Sequence, residues 1–351
     1  MADIKEVMQN AQTVNISQTS QSDPTGRIYM ANAYIAGKAL VRALPYLIFE
    51  KFGQGYPVPT NSTRTIKFRR YEPLDNTPKE LMEGVTPTGQ KLTYTELEAD
   101  LKQYGDLLIM SDVLLDTDDS RAMEEASTLI GEQAAQVVEN IRINTLLGGS
   151  NVEYANGTSR GEVNTPISLG FQRRVTRKLK NQLARFHTEA IASTPRFYTE
   201  SVLPCYVAVC HPDCEGDIRG MVGFKDAVDY GTQLPWENEI GACENVRYVF
   251  TTMMPIFADE GGDVTNAAGN RMLSTGGTKA DVYPILFLAK DSYGLVPLKG
   301  KDSLTPMIQN PTPTPSDPLA QRAYVAWKTM QTCVILNQAW IVRGEVAATA
   351  Y

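Results

Sequence analysis

The feature that most constrains this 351-residue chain is a pair of extended stretches on either side of a turn-rich tip. "TIKFRRYEPL" (65–74) contains Thr65, Ile66, Phe68 and Tyr71, residue types that suit a pleated surface. "KLTYTELEADLKQYGD" (91–106) sets Leu97, Ala99 and Leu101 against Glu96, Glu98 and Asp100 with a period of two, the mark of a half-buried strand. Between them, "EPLDNTPKELMEGVTPTGQ" supplies three prolines and two glycines. The pattern predicts a long hairpin over 56–104, with one basic arm (Arg64, Lys67, Arg69, Arg70) and one acidic arm (Glu96, Glu98, Asp100). Such a ribbon has no core of its own and is marginal in water. Exposed ion pairs between the arms add little. The hairpin must therefore lie on its own domain or reach over a neighbouring subunit; a solvated hairpin on an enzyme surface is the remaining reading.

Just beyond it, "TDDSRAMEEASTLIGEQAAQVVENIRINTLLGG" predicts a helix over 118–148. Met123, Ala126, Ile130, Ala134, Val137, Ile141 and Thr145 form one apolar stripe. Asp118 and Asp119 sit where the helix dipole favours anions, and Gly148–Gly149 end the run. At 1.5 Å per residue it would be about 45 Å long. A helix of that length beside a long hairpin predicts an elongated subunit, a shape compact enzymes seldom need.

The acidic balance, a formal net charge of −7, argues against a dedicated nucleic-acid binder but says nothing about a local basic patch. No stretch approaches 18 consecutive apolar residues, so no membrane span is expected, and the first residues lack a signal peptide's apolar core. Five cysteines without a secretion signal suggest reduced thiols. Cys205, Cys210, His211 and Cys214 raise a metal question, but C-x4-C-H-x2-C is not a zinc spacing. "CYVAVC" reads instead as a buried strand, with its thiols acting as small hydrophobes.

Elsewhere, residues 1–27 read as a polar extended arm, and 28–52 as an apolar run with helical spacing up to Pro45. "FQRRVTRKLKNQLARFHTEAI" (171–191) predicts a second helix, its stripe Val175, Leu179, Leu183 and Phe186. Its cations Arg173, Arg174, Arg177, Lys178 and Lys180 form a face for which nucleic acid, an acidic neighbour and plain solvent all fit. The glycine-rich stretch 258–281 holds no phosphate-binding motif. With two histidines and no nucleophile elbow or H-E-x-x-H, no catalytic residue, cofactor or metal is assigned.

Five ordered blocks carry a family resemblance. "GKALVRALPYLIFEKFGQGYPVPTNSTRTIKFRRYEPL…LMEGVTPTGQKLTYTELEADLKQYGDLLIMSD" resembles the N-terminal half of the major capsid proteins of tailed bacteriophages, specifically the N4-type family. "VAVCHPDCEGDIRG", "ENEIGACENVRYVFTT", "ADVYPILFLAKDSYGLVPL" and "DPLAQRAYVAWKTMQTCVILNQAWIVRGE" are similar to its later landmarks, in order, over about residues 35–346. The resemblance implies an α+β chain with the Hong Kong 97-like capsid fold. It would comprise an N-terminal arm (1–55), an extended β-hairpin loop (56–104), a peripheral domain (105–162) with a spine helix at 118–148, an axial domain (163–320), and a return to the peripheral domain (321–351). It also implies a self-assembling, non-enzymatic shell protein, found in the virion and made in the bacterial host cytoplasm. Hexamers and pentamers would form an icosahedral capsid around double-stranded DNA held without sequence specificity.

In that setting Arg64, Lys67, Arg69, Arg70, Glu96, Glu98 and Asp100 become subunit-interface candidates, since the extended loop of such shells lies over the next subunit. The basic helix becomes DNA-facing or interfacial. The expected partners are further copies, a separate scaffolding protein, a portal protein and a decoration protein, with no membrane. In "HPD", Asp213 is expected to cap a short helix. Two alternatives stand beside this reading: a cellular nanocompartment shell of the same fold, and a soluble hydrolase using a metal at Cys210, His211 and Cys214 or a pair of carboxylates.

Overall fold

The computed structural model describes residues 20–22, 28–30, 47–61, 63–78, 80, 83, 84, 86, 89–112, 122–192, 200–230, 236–298, 307–313 and 317–351. In chain order, its strands and helices are Ser20–Ser22 (β1), Ile28–Met30 (β2), Phe49–Phe52 (α1), Gln54–Gly55 (β3), Thr65–Tyr71 (β4), Tyr94–Asp100 (β5), Lys102–Ser111 (β6) and Ala122–Leu147 (α2). There follow Val152–Tyr154 (β7), Leu169–Asn181 (α3), Tyr206–Cys210 (β8), Glu215–Arg219 (α4), Phe224–Asp226 (β9), Glu239–Cys243 (β10) and Val246–Phe250 (β11). The last five are Tyr283–Leu288 (β12), Tyr293–Pro297 (β13), Met307–Gln309 (β14), Arg322–Ile335 (β15) and Ile341–Val346 (β16). Ile28–Met30 pairs with Ser20–Ser22, so the apolar run expected to be helical opens as a strand. Residues 31–46 of that run, most of the polar arm, and Asp118 and Asp119 lie outside the described residues.

Two sheets organise the body. A seven-stranded sheet runs β7-β16-β12-β8-β11-β10-β9, and its central strands are apolar on both faces, as "YVAVC" and "YPILFL" require of doubly covered strands. On one face, Phe171, Val175 and Leu179 of α3 pack with Tyr206, Ala208, Tyr248 and Phe287. On the other, Ile143, Leu146 and Leu147 at the end of α2 pack with Val207, Val209 and Leu286. The second sheet centres on the 14-residue strand β15, which pairs with β6 along one edge and with β14 and β13 along the other. The apolar run "YPILFLAKDSYGLVPL" is divided between the sheets: a turn with Asp291 in the left-handed region sends β12 into one and β13 into the other. The last thirty residues divide likewise, β15 in the smaller sheet and β16 in the larger.

The apolar stripe of α2 changes partner along its length. Ala126, Ile130 and Ala134 pack on Ala323, Val325 and Trp327 of β15, as the sequence period predicts. Val137 stays partly buried against the same cluster, but beyond it the buried positions are Val138, Ile143, Leu146 and Leu147, not Ile141 and Thr145, because this end meets the seven-stranded sheet and α1 as well as the end of β15. In α3 the helix is shorter than expected. Ser168 caps its start, accepting from the Phe171 amide, and the chain turns left-handed at Leu183. Ala184 is buried there, while Leu183 is 84% exposed and leaves the predicted stripe.

Candidate assembly interface

The hairpin strands pair antiparallel with Thr65 opposite Asp100 and Tyr71 opposite Tyr94. This register puts Lys67 opposite Glu98 and Arg69 opposite Glu96, and both pairs form ion pairs, Arg69 Nε donating to Glu96 Oε1 at 2.7 Å. The Glu96 carboxylate raises the Arg69 pKa, as Glu98 does for Lys67. Asp100 accepts from Thr65 Oγ1 at 2.5 Å, and Arg64 Nε donates to the Leu101 carbonyl at 2.7 Å. Most of the charges singled out in the sequence therefore face one another within the ribbon. Arg70, opposite Thr95, is exposed and has no ionic partner among the described residues.

The opposite face answers how a ribbon without a core is held. Ile66 and Phe68 pack with Tyr56, Val58, Val296 and Leu298, and Phe68 meets Tyr56 edge-on at 5.0 Å between centroids. The ribbon's base thus lies on its own subunit. Its distal end does not: Tyr71, Leu74, Leu92 and Tyr94 are all more than half exposed or at half.

A second exposed apolar surface lies on the smaller sheet. Antiparallel pairing puts Ile109 beside Tyr324 and Leu107 beside Ala326 on one side of β15, with Met307 beside Ala326 on the other. These residues share the face opposite α2, since Ala323, Val325 and Trp327 alternate toward the helix. Leu107 is 50%, Ile109 54% and Met307 52% exposed. Arg322 and Lys328 flank them on β15, both exposed on the same face. Sequence reasoning did not single out these residues. The signal was present in "DLLIM", where Leu107, Leu108 and Ile109 break the alternation of a half-buried strand, so one side must present apolar side chains outward.

The basic helix spends most of its charge at home. Arg173 Nε donates to Glu244 at 2.9 Å, Lys178 lies 3.4 Å and Arg174 3.5 Å from Glu153, and Lys180 donates to Asn245 Oδ1 at 2.9 Å. Arg177 alone of the five is exposed and without a polar partner among the described residues.

The residues named for a metal do not converge. The Cys210 and Cys214 thiols sit in the apolar core, where burial pushes both well up, and burial takes Cys205 to about 12. His211 Nδ1 accepts from the Asp213 amide and lies 3.1 Å from the Asp213 carboxylate. His211 is thus the capping residue expected of Asp213. The Asp213 carboxylate instead accepts from Tyr283 Oη at 2.9 Å, and its pKa is lowered chiefly by His211. Among the described residues no group of three or more His, Cys, Asp or Glu side chains is placed to hold a metal ion. Among the described residues no helix is long and apolar enough to cross a membrane.

Comparison with known proteins follows the same direction. A family profile described as phage capsid protein matches residues 94–290. No curated protein sequence matches the chain. Among solved structures, the chain is similar to the head of Helicobacter pylori bacteriophage KHP40, with a TM-score of 0.62 and 9% identity over 95% of this chain and 98% of that one. The capsid of Ralstonia phage GP4 gives a TM-score of 0.61 and 13% identity over 94% and 98%. The Cyanophage Pam1 capsid asymmetric unit gives 0.58 and 15% over the full length of both. At these identities the likeness is one of fold.

Proposed function

The chain belongs to the phage capsid protein family, and from that premise we propose that it is the major capsid protein of a tailed bacteriophage, with the Hong Kong 97-like fold and an N4-type lineage. It is a structural protein of the phage shell. In the proposed reading, copies assemble as hexamers and pentamers into an icosahedral shell around double-stranded DNA. In this reading α2 is the spine helix, the β4–β5 ribbon the extended loop and the seven-stranded sheet the axial body, with β7 and β16 joining that sheet from the segments the resemblance gives to the peripheral domain, and β13 and β14 joining the smaller sheet from the axial segment.

One observation carries this reading beyond the family match: the chain presents two different exposed apolar patches, neither of which the described residues cover. Large exposed apolar patches mark interaction sites. The ribbon end offers Tyr71, Leu74, Leu92 and Tyr94, and the sheet face offers Leu107, Ile109 and Met307. The sequence of the ribbon end also mixes Glu72, Asp75, Glu80 and Glu83 with Arg70, Lys79 and Lys91, and its carboxylates can meet Arg322 and Lys328 beside the sheet patch. Two unlike, complementary patches on one chain make a head-to-tail contact, which closes into rings when the rotation permits. The ribbon of one copy thus lies over the smaller sheet of the next. The subunit-interface role belongs to the ribbon's far end and Arg70, while Lys67, Arg69, Glu96, Glu98 and Asp100 stiffen the ribbon that delivers them.

The charge balance supports DNA enclosure driven by packaging, not by attraction to the wall. Each copy carries a formal charge of −7, and the basic helix is largely neutralised by Glu153 and Glu244. A portal protein, a separate scaffolding protein and a decoration protein complete the proposed set of partners. Negative-stain electron microscopy with sizing at several concentrations and ionic strengths tests the reading. Closed shells, hexamers or pentamers are expected. A protein that stays monomeric at every concentration, even with its phage's scaffolding protein present, would refute it.

A further inference from the structure

The segment 48–52 makes an unusual number of unlike contacts for its length. The Glu139 carboxylate of α2 is completely buried and accepts from the Ile48 amide at 2.5 Å and the Phe49 amide at 2.8 Å, across 90 residues of sequence. Those amides belong to the start of α1, where a helix leaves its N–H groups without partners of its own. Arg142, one turn along, donates to the other Glu139 oxygen at 3.2 Å and to Glu50 at 3.3 Å. Tyr293 Oη of β13 donates to the Phe49 carbonyl at 2.6 Å. On the far side, Lys51 pairs with Glu237 at 2.6 Å, and Phe52 meets Trp236 and His187 edge-on at 4.8 and 5.2 Å. Trp236 in turn stacks under Arg247, whose guanidinium lies 4.1 Å from the ring centre. Five residues thus touch the spine helix, the smaller sheet and the turn at one end of the larger sheet.

We propose that residues 48–52 are a releasable clasp that fixes the angle between the α2 and β15 unit and the seven-stranded unit. In its absence the chain takes more than one such angle. The apolar contacts alone do not specify that angle, because Ile143, Leu146 and Leu147 meet the larger sheet through interchangeable aliphatic packing. Among the directional groups at the junction, Glu139, Arg142 and Tyr293 act on the clasp, and Arg343 of β16, which donates to the Leu147 carbonyl at the last residue of α2, acts beside it. Releasing it strands a buried carboxylate with one arginine, so the clasp opens as a unit or not at all. The second half of the proposal rests on the shell reading: subunits in five- and six-fold surroundings differ in the angle between their parts, and hinge-like elements absorb such differences.

The test uses the full chain with Glu139→Gln and the shape-conserving Tyr293→Phe, read by hydrogen exchange on unassembled subunits and by the size distribution of assembled shells. Both variants should speed exchange over residues 47–52 by roughly tenfold or more, while β8 and β12 keep wild-type protection. Both should also yield shells of mixed size or open sheets where wild type gives one size. Unchanged exchange in Tyr293→Phe overturns the clasp. Faster exchange with shells of wild-type size overturns its role in setting the angle. A wild-type protein that forms no shell at all removes the shell reading and the second half of the proposal with it, while the exchange rates still decide the first.

Discussion

Consider replacing the outward apolar row of the smaller sheet by Leu107→Thr, Ile109→Thr and Met307→Thr together. Threonine has the β-branched shape that strands favour, so β6 and β14 retain their pairing with β15. Each of the three side chains is about half exposed in the subunit. Complete burial of such a side chain is worth about 1.5–3 kcal/mol, so covering the exposed half contributes about 1 kcal/mol each. Threonine retains roughly a third of that apolar surface, so the triple change removes about 2 kcal/mol per head-to-tail contact. Each subunit in a closed ring gives one such contact and receives one. The critical concentration for assembly should then rise about 30-fold, at 1.4 kcal/mol for each factor of ten. Light scattering across a dilution series measures it, and thermal unfolding of dilute subunits checks that the fold survives. A critical concentration within threefold of wild type, with the fold intact, would mean the sheet face is not where the neighbour sits.

Four further outcomes follow from the structure. Arg69→Glu should weaken the ribbon and slow assembly, and adding Glu96→Arg should restore it if the pair serves the ribbon; Arg70→Glu should impair assembly with no rescue from within the ribbon, read by the yield of sedimenting shells. Arg247→Met, which leaves the buried Glu239 carboxylate without its two guanidinium bonds at 2.6 and 2.5 Å, should cost about 3–5 kcal/mol of subunit stability by denaturant titration; Glu239→Leu added to it should recover only part of that, because Tyr230 Oη and the Trp236 amide lose the same acceptor. Gly105→Val should break the β6–β15 ladder, because a Cβ there would stand 2.6 Å from the Trp327 carbonyl, and loss of amide protection along 102–110 reads it out. Burial, with Lys290 and Arg247 nearby, holds the His187 pKa below its usual 6.5, so the neutral ring is the form the fold prefers; the stability it contributes is complete above about pH 6.5 and lost as pH falls through the lowered value, a slope that His187→Phe should flatten in pH-dependent unfolding.

The parts of the fold legible in the sequence are those where one local period decides one burial pattern. Leu97, Ala99 and Leu101 against Glu96, Glu98 and Asp100 gave a strand because a half-buried ribbon needs only that alternation. Ala126, Ile130 and Ala134 gave the helix face because β15 offers it a uniform apolar partner. The pattern failed where the partner changes. After Val137 the helix also faces α1 and the larger sheet, and a carboxylate and an arginine sit on its buried side, so Glu139 and Arg142 read as solvent-facing polar residues when only the helix is considered. What makes them buried is a segment 90 residues earlier, and no window along the chain contains both.

Charge was legible in composition and misleading in position. The cationic strand drew attention as an interface, yet its register sets it against an acidic strand seven residues long, and cross-strand neighbours satisfy most of it. The same holds for α3, where Glu153 lies on a strand beside the helix and Glu244 in a turn of the larger sheet. Solvent-exposed pairs of this kind are weak individually and are screened by salt, so they are poor candidates for the contacts that hold a shell together. The apolar residues left uncovered are the better ones, because water cannot satisfy them in the free subunit. That argument makes a distinction by salt: raising ionic strength should leave head-to-tail association largely intact, since Leu107, Ile109 and Met307 are indifferent to screening, while a shell held by Lys67, Arg69 and their carboxylates would come apart. Assembly followed from 50 mM to 1 M sodium chloride, roughly a Debye length of 14 Å falling to 3 Å, separates the two. A critical concentration that climbs steeply across that range would return the interface to the charged strand.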